Sequence, residues 1–184
     1  MITSRNIKNI KINFGIDSPA SEHEKVLEIF TKTGQKLKKV TLSGEIDEAK
    51  LIEILKCIPN CKSLIFDNLK SIQIEKLTTS VTFNHLINFE VKNKSHSHIL
   101  KHIKFGNDCL KTLICRRRRR GNEIVKNQKN LVEVSLRTRQ ILSEDFLLDC
   151  KLKKLSLDYN ASEMNENSYI NFIQNHTHKK NLKF

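Results

Sequence analysis

Tryptophan is absent from the 184 residues, and there are only 2 tyrosines, 2 prolines and 5 glycines. So few large planar rings leave little material for the stacking platforms that hold single-stranded nucleic acid. So little Pro and Gly excludes collagen-like and linker-dominated chains. No run of about 18 apolar residues occurs, so no membrane-spanning helix is expected. Residues 1–15 alternate polar and apolar types and lack the continuous apolar centre of an export signal. The glycines, at 15, 34, 44, 106 and 121, form no phosphate-cradling loop and no dinucleotide fingerprint. There is no nucleophile elbow, and no carboxylate pair whose settings would push the two pKa values apart. A non-catalytic protein without a cofactor is the expectation. The cysteines number 5, at 57, 61, 109, 115 and 150. An odd count without an export signal points to reduced thiols and a cytoplasmic or nuclear location.

Apolar residues are plentiful. Leu, Ile, Val and Phe make up 58 of the 184 residues, enough for a core and too many for a disordered chain. They recur in one pattern: apolar, two spacers, apolar, one spacer, apolar. The copies are Ile7/Ile10/Ile12, Leu37/Val40/Leu42, Cys61/Leu64/Phe66, Leu86/Phe89/Val91, Leu110/Leu113/Cys115, Leu131/Val134/Leu136 and Leu152/Leu155/Leu157. Their starts are 21 to 30 residues apart, and residues 181–184 look like an eighth copy cut short. Residues two apart share a face of a strand, so the second and third apolar positions point together into a core. Steps of this length leave room for a crossover, which makes neighbouring strands parallel. Unrelated strands of an ordinary α/β domain are the alternative.

The intervening segments fit crossovers. Leu51, Ile54, Leu55 and Ile58 lie on one helical face. Ser21 with Glu24 reads as a capping box before a helix carrying Val26, Leu27 and Phe30. Ser95 or Ser97 is expected to cap a shorter helix bearing Ile99, Leu100 and Ile103. Segment 69–84 holds the β-branched run at 78–82 and is expected to be irregular or extended. Segments 121–129 and 143–149 have room for one or two turns, and 162–175 looks helical.

With this pattern the chain resembles a leucine-rich-repeat protein, and most of all the irregular, cysteine-containing repeats of F-box proteins. The likeness rests on LKKVTLSG (37–44), CIPNCKSLIFDN (57–68), CLKTLIC (109–115), LVEVSLRT (131–138) and CKLKKLSLDYN (150–160). It implies an α/β solenoid: a curved parallel sheet with helices or irregular coils on its convex side. It implies one domain over 1–184, of about seven to eight irregular repeats. A cysteine often ends the helix before the next strand in that family, a place that Cys57, Cys109 and Cys150 fit. No F-box is seen in this chain. The resemblance implies a protein-recognition module, with the substrate-binding arm of an F-box-like ubiquitin ligase as its most specific form.

The outward positions of the motif then form the candidate partner-binding face. They include Lys39, Thr41, Ser63, Ile65, Asp67, Asn88, Glu90, Lys92, Thr112, Ile114, Glu133, Ser135 and Arg137, flanked by Asn9, Lys11, Asn13, Ser43, Arg116, Lys154, Ser156 and Asp158. Six are basic and four acidic, so this face suits a protein with complementary charges better than a phosphate backbone. The chain as a whole carries 33 Lys and Arg against 20 Asp and Glu, a net charge of +13. Residues 101–130 alone hold ten basic and two acidic residues. The run Arg116, Arg117, Arg118, Arg119 and Arg120 dominates that window. It reads as a solvated loop, as an import signal or acidic-protein site, or as a nucleic-acid patch. Nucleic-acid binding through this run is the alternative function. His98 and His102 lie four apart on the expected short helix, near His96 and Cys109, but the tight spacing of a zinc site is missing, and no metal is expected. The partner is expected to be a protein, with no membrane and a monomeric chain.

Overall fold

The computed structural model describes residues 7–15, 20–72, 78–92, 97–115, 124, 128–138, 152–159 and 182–183. Ten strands lie among them. In chain order these are β1 (Asn9–Phe14), β2 (Lys39–Asp47), β3 (Ser63–Ile72), β4 (Val81–Phe83), β5 (Asn88–Lys92), β6 (Ile103–Phe105), β7 (Thr112–Cys115), β8 (Glu133–Thr138), β9 (Lys154–Tyr159) and β10 (Leu182–Lys183). Eight of them form one sheet in the order β1-β2-β3-β5-β7-β8-β9-β10. Every pairing in it is parallel. The chain is therefore α/β with a parallel sheet whose strands follow sequence order. Each copy of the apolar motif forms one strand, and the fragment at 181–184 supplies β10, with Leu182 opposite Leu155.

Register places the motif in rows. Ile10, Val40, Leu64, Phe89, Leu113, Val134 and Leu155 stand opposite one another along one row. Ile12, Leu42, Phe66, Val91, Cys115 and Leu136 form the next. All are buried except Ile10 and Ile12 on the edge strand, which are half-buried. The first apolar position of each motif is buried too, from Leu37 through Leu131 at 0 % exposure, whereas Ile7 at the edge is 48 % exposed. Each such Leu or Phe contributes about 1.5–3 kcal/mol by leaving water. The Phe66 and Phe89 rings meet edge-on at 5.7 Å, tying neighbouring strands across the core.

Two helices fill the first crossovers, α1 (Ala20–Thr33) and α2 (Glu48–Lys56). Phe30 of α1 and Leu51, Ile54 and Leu55 of α2 are buried, with Ile58 just past its end. Asp47 caps α2: its Oδ1 accepts from Ala49 N at 2.7 Å and Lys50 N at 3.0 Å. The expected capping box at Ser21 is not where α1 begins. The helix starts at Ala20, so Ser21 already belongs to its first turn. The close packing of the two helix ends needs Gly34, where a Cβ would lie 2.2 Å from the Cys57 carbonyl oxygen.

Of the next two crossovers, the one at 97–103 departs from the helix expected there. Segment 69–84 is extended where described, as its β-branched run suggests, and ends in β4. Residues 97–102 form a 3-10 helix rather than an α-helix, and Ile103 opens β6. β4 and β6 pair in parallel as a second, two-stranded sheet. The fully buried Phe83 anchors this pair, and Phe105 brings its ring to 5.0 Å from Phe89. Ser95, the one or two turns expected at 121–129 and 143–149, and the helix expected at 162–175 lie wholly or largely outside the described residues.

β2 and β3 run on beyond the motif through a β-bulge. Ser43 pairs with Asp67 and Gly44 with Leu69, leaving Asn68 as the extra residue. Asn68 takes φ 57° and Gly44 φ 87°, left-handed values that Asn and Gly tolerate. The bulge returns Leu69 to the core at 1 % exposure. A Cβ at Gly44 would sit 1.8 Å from the Phe14 carbonyl oxygen. Gly44→Ala is therefore expected to destabilise the fold by about 2–4 kcal/mol through backbone strain and overpacking. Urea denaturation measures this, and a midpoint equal to that of the parent chain would refute the tight-crossing argument.

Candidate functional site

The outward residues of the large sheet form three rows, set by the same register. The first is Asn9, Lys39, Ser63, Asn88, Thr112, Glu133 and Lys154. The second is Lys11, Thr41, Ile65, Glu90, Ile114, Ser135 and Ser156. The third runs Asn13, Ser43, Asp67 and Lys92, with Arg137 opposite Asp158 further along. All thirteen face residues named from the sequence thus occupy strand positions between the buried rows. The side chain of Arg137 lies outside the described residues, as do all of Arg116, Arg117, Arg118, Arg119 and Arg120.

The centre of the face is mixed in chemistry. Ile65, Glu90 and Ile114 are directly opposite one another on adjacent strands, and all three are half-buried. Two aliphatic side chains therefore flank one carboxylate. Lys92 Nζ approaches Glu90 Oε1 at 3.7 Å on the same strand, and Lys154 pairs with Glu133 across strands at 2.5 Å. These pairs are open to water and contribute little to stability, but they set an alternating charge pattern across the sheet.

Beside this face, at the strand ends of β1–β3, lies an open cavity of about 480 Å³ lined by Lys11, Asn13, Ser43, Glu45, Asp67 and Lys70 among others. The bulge shapes it, and bulges re-aim side chains in this way. Ser43 Oγ lies 3.1 Å from both the Ile12 carbonyl oxygen and Asn13 Oδ1, so its hydroxyl is committed to the sheet rather than poised as a nucleophile.

The described thiols are structural. Cys57, Cys61, Cys109 and Cys115 form no disulfides. Cys57 does end α2, its N–H bonded back to Ile54 and Leu55 carbonyls. Cys109 does not end a helix: it follows β6 and a turn, and its Sγ lies 3.6 Å from the Phe83 carbonyl oxygen. Cys150 lies outside the described residues. Burial raises the Cys109 thiol and pushes Cys61 up to about 11, against the smaller lowering effect of a hydrogen bond from the Ser63 backbone.

His102 is a core residue, 5 % exposed, and its Nδ1 donates to the Thr79 carbonyl at 2.8 Å. The side chain of His98 lies outside the described residues, so no pair is formed by what is described. No group of three or more His, Cys, Asp or Glu that could hold a metal occurs among the described residues, and none of their helices is long and apolar enough to cross a membrane.

A polar brace escaped the sequence reading. Gln128 is 1 % exposed; its Oε1 accepts from Leu110 N at 3.0 Å and its Nε2 donates to the Gly106 carbonyl at 2.9 Å. The amide thus satisfies backbone groups of the turn before β7. The only sequence signal is a lone Gln just ahead of a motif leucine, which is too common to single out. Glu48 is also buried, at 1 % exposure and without a hydrogen-bond partner on either oxygen among the described residues, in the first helical turn where a negative charge is favoured.

No protein-family model, curated protein or solved structure matches the chain. The chemistry of the site therefore stands on its own residues. Cys61 offers a direct check of the core. Its thiol titrates above the ordinary value when folded and near that value when unfolded. The folded state thus holds the proton longer. Its stabilising share is complete below about pH 9 and is lost as pH rises from about 9 to about 11. Alkylation of Cys61 at pH 8 is expected to be roughly a hundredfold slower in the native than in the unfolded chain, read by mass spectrometry of the modified peptide. Equal rates would place the thiol outside the core.

Proposed function

We propose that the chain is a single leucine-rich-repeat solenoid that acts as a non-catalytic protein-recognition module. Its binding surface is the outward face of the large sheet. The observation that carries this reading is the register of that face. Strands in chain order line up the same motif positions into continuous rows, the arrangement by which repeat proteins present a broad binding surface.

The composition of the rows supports a protein partner. An interface needs an apolar centre inside a polar, charged rim. Ile65 and Ile114 supply the centre, half-buried on either side of Glu90. A partner's Lys or Arg fits there, its stem on the two isoleucines and its head on the carboxylate. Lys39, Asp67, Lys92, Glu133 and Lys154 surround it with both charge signs, which favours specificity over blanket attraction.

The more specific form of the reading, a substrate-binding arm of an F-box-like ubiquitin ligase, rests on the resemblance of the repeats. The transcript upstream of Met1 tests it. An F-box there supports the assignment, and a complete transcript without one removes it.

The recognition reading is tested by immobilising the chain and quantifying the proteins it retains from a cell extract. The double variant Ile65→Ser/Ile114→Ser is expected to lose retention at least about tenfold, as for central apolar anchors. Ile29→Ser, an equally apolar-to-polar change at a 46 % exposed position on α1, is expected to leave it intact. Identical retention by all three proteins would defeat the reading.

A further inference from the structure

The edge of the sheet where its strands begin carries a charge pattern of its own. The residue after the first apolar position of each motif is Lys8, Lys38, Lys62, Ile87, Lys111, Val132 and Lys153. Five of the seven are lysine, and all five are exposed. Their strands stand first, second, third, fifth and seventh in the sheet. At about 4.8 Å per strand, the row from Lys8 to Lys153 spans about 29 Å. Lys36 and Lys129 are also exposed, in the turns just before β2 and β8.

Little opposes this charge among the described residues. Asp108 is the one carboxylate in the described turns that lead into β2, β3, β5, β7, β8 and β9. Its Oδ1 accepts the Lys129 N–H at 2.5 Å, so it is committed to a turn. None of the seven lysines is ion-paired among the described residues. Near the middle of the row lies a cleft of about 450 Å³ lined by Lys38, Lys62, His85, Asn60, Asn84, Ile87 and Cys109, with no carboxylate. The cysteine there is raised by burial, so it adds no negative charge at neutral pH.

We infer that this edge, through Lys8, Lys38, Lys62, Lys111 and Lys153, binds the phosphate backbone of a double-stranded nucleic acid without reading its sequence. The residue type argues for phosphate over protein. Protein interfaces are depleted in lysine and centred on apolar or aromatic anchors, whereas nucleic-acid interfaces are polar and strongly positive. The described turns of this edge hold no aromatic ring except that of His85. Without stacking partners a single strand gains little, but a duplex needs only the charges. DNA and RNA duplexes share the backbone chemistry, and both serve as probes. The site adjoins the partner-binding face but uses none of its residues. It uses none of residues 116–120, which follow β7 in the sequence, while the lysine row lies at the strand starts.

The test is fluorescence anisotropy of a labelled duplex of roughly 20 base pairs, DNA and RNA in turn, titrated with the full chain across a range of salt. If five lysines each neutralise one phosphate, log Kobs falls against log salt with a slope of about −4 to −5. The exposed triple variant Lys38→Gln/Lys62→Gln/Lys111→Gln is expected to flatten that slope by about 2.7, and the single variant Lys62→Gln by about 0.9. Circular dichroism checks the fold of each, and the single variant decides if the triple one misfolds. A variant with Arg117, Arg118, Arg119 and Arg120 changed to Ser is expected to keep most of the slope. No binding by the parent chain, an unchanged slope in the lysine variants, or loss of the slope in the arginine variant overturns the assignment. So does displacement of the duplex by a polyglutamate peptide of equal charge.

Discussion

Each strand of the large sheet from β2 to β9 is joined to its neighbour in the same way. One carbonyl oxygen, at the second motif position, accepts two successive N–H groups from the following motif. Lys8 O takes Lys38 N and Lys39 N; Lys38 O takes Lys62 N and Ser63 N; Lys62 O takes Ile87 N and Asn88 N; Ile87 O takes Lys111 N and Thr112 N; Lys111 O takes Val132 N and Glu133 N; Val132 O takes Lys153 N and Lys154 N. The distances run from 2.7 to 3.1 Å. Six identical brackets fix the register where each strand begins. A slip of one residue would turn the core rows outward and bury Lys39, Glu90 and Glu133, so the brackets and the apolar rows enforce each other.

The brackets also explain why unlike crossovers are tolerated. α2, the β4–β6 pair and the turn braced by Gln128 all lead into strands that start identically. What each crossover must supply is an apolar lid and satisfied backbone groups. α2 does this with Leu51, Ile54 and Leu55, and the second sheet with Val81, Phe83 and Ile103. Gln128 substitutes a side-chain amide for a backbone partner at the turn before β7. Variable step lengths in the sequence are thus variable lids over an invariant strand start.

This division decides what could be read from the sequence. The strands were legible because their signal is periodic and repeated: seven motif copies became seven strands, with inward and outward positions as expected. α2 was legible because Leu51, Ile54 and Leu55 share one face. The 3-10 turn at 97–102 and the second sheet were not, since three-residue strands such as Val81–Phe83 and Ile103–Phe105 are too short to show a period. The extension of β2 and β3 past the motif was hidden by the bulge, which shifts inward positions from Leu64 and Phe66 to Leu69 and breaks the alternation. Gly44 and Asn68 were its only trace. The outward positions of the candidate face were legible for the same periodic reason, but the central grouping of Ile65, Glu90 and Ile114 depends on register between strands. The lysine row was in plain view at one motif position. It emerges only when charge is summed across the strands, because along the chain its successive lysines are 24 to 49 residues apart.

Summed across the strands, the net charge of +13 separates into surfaces with different physics. The outward face of the sheet has both signs, partial ion pairs at Glu90–Lys92 and Glu133–Lys154, and an aliphatic centre. Interactions there depend on shape and desolvation, and salt changes them modestly. Among the described residues, the strand-start edge has seven lysines without an ion pair and one committed aspartate. Its attraction extends further into solution and decays with ionic strength over roughly a Debye length of 8–10 Å. The two surfaces adjoin: Lys38 and Lys39 are consecutive, one on the edge and one in the first row of the face. A partner seated on Lys39, Ser63 and Asn88 would therefore lie against the lysine row. An acidic partner would be drawn in by it and a basic one repelled. The brackets that fix register thus also fix how far apart the two surfaces are, because the same residue that supplies each bracketing carbonyl carries the lysine side chain at four of its six occurrences.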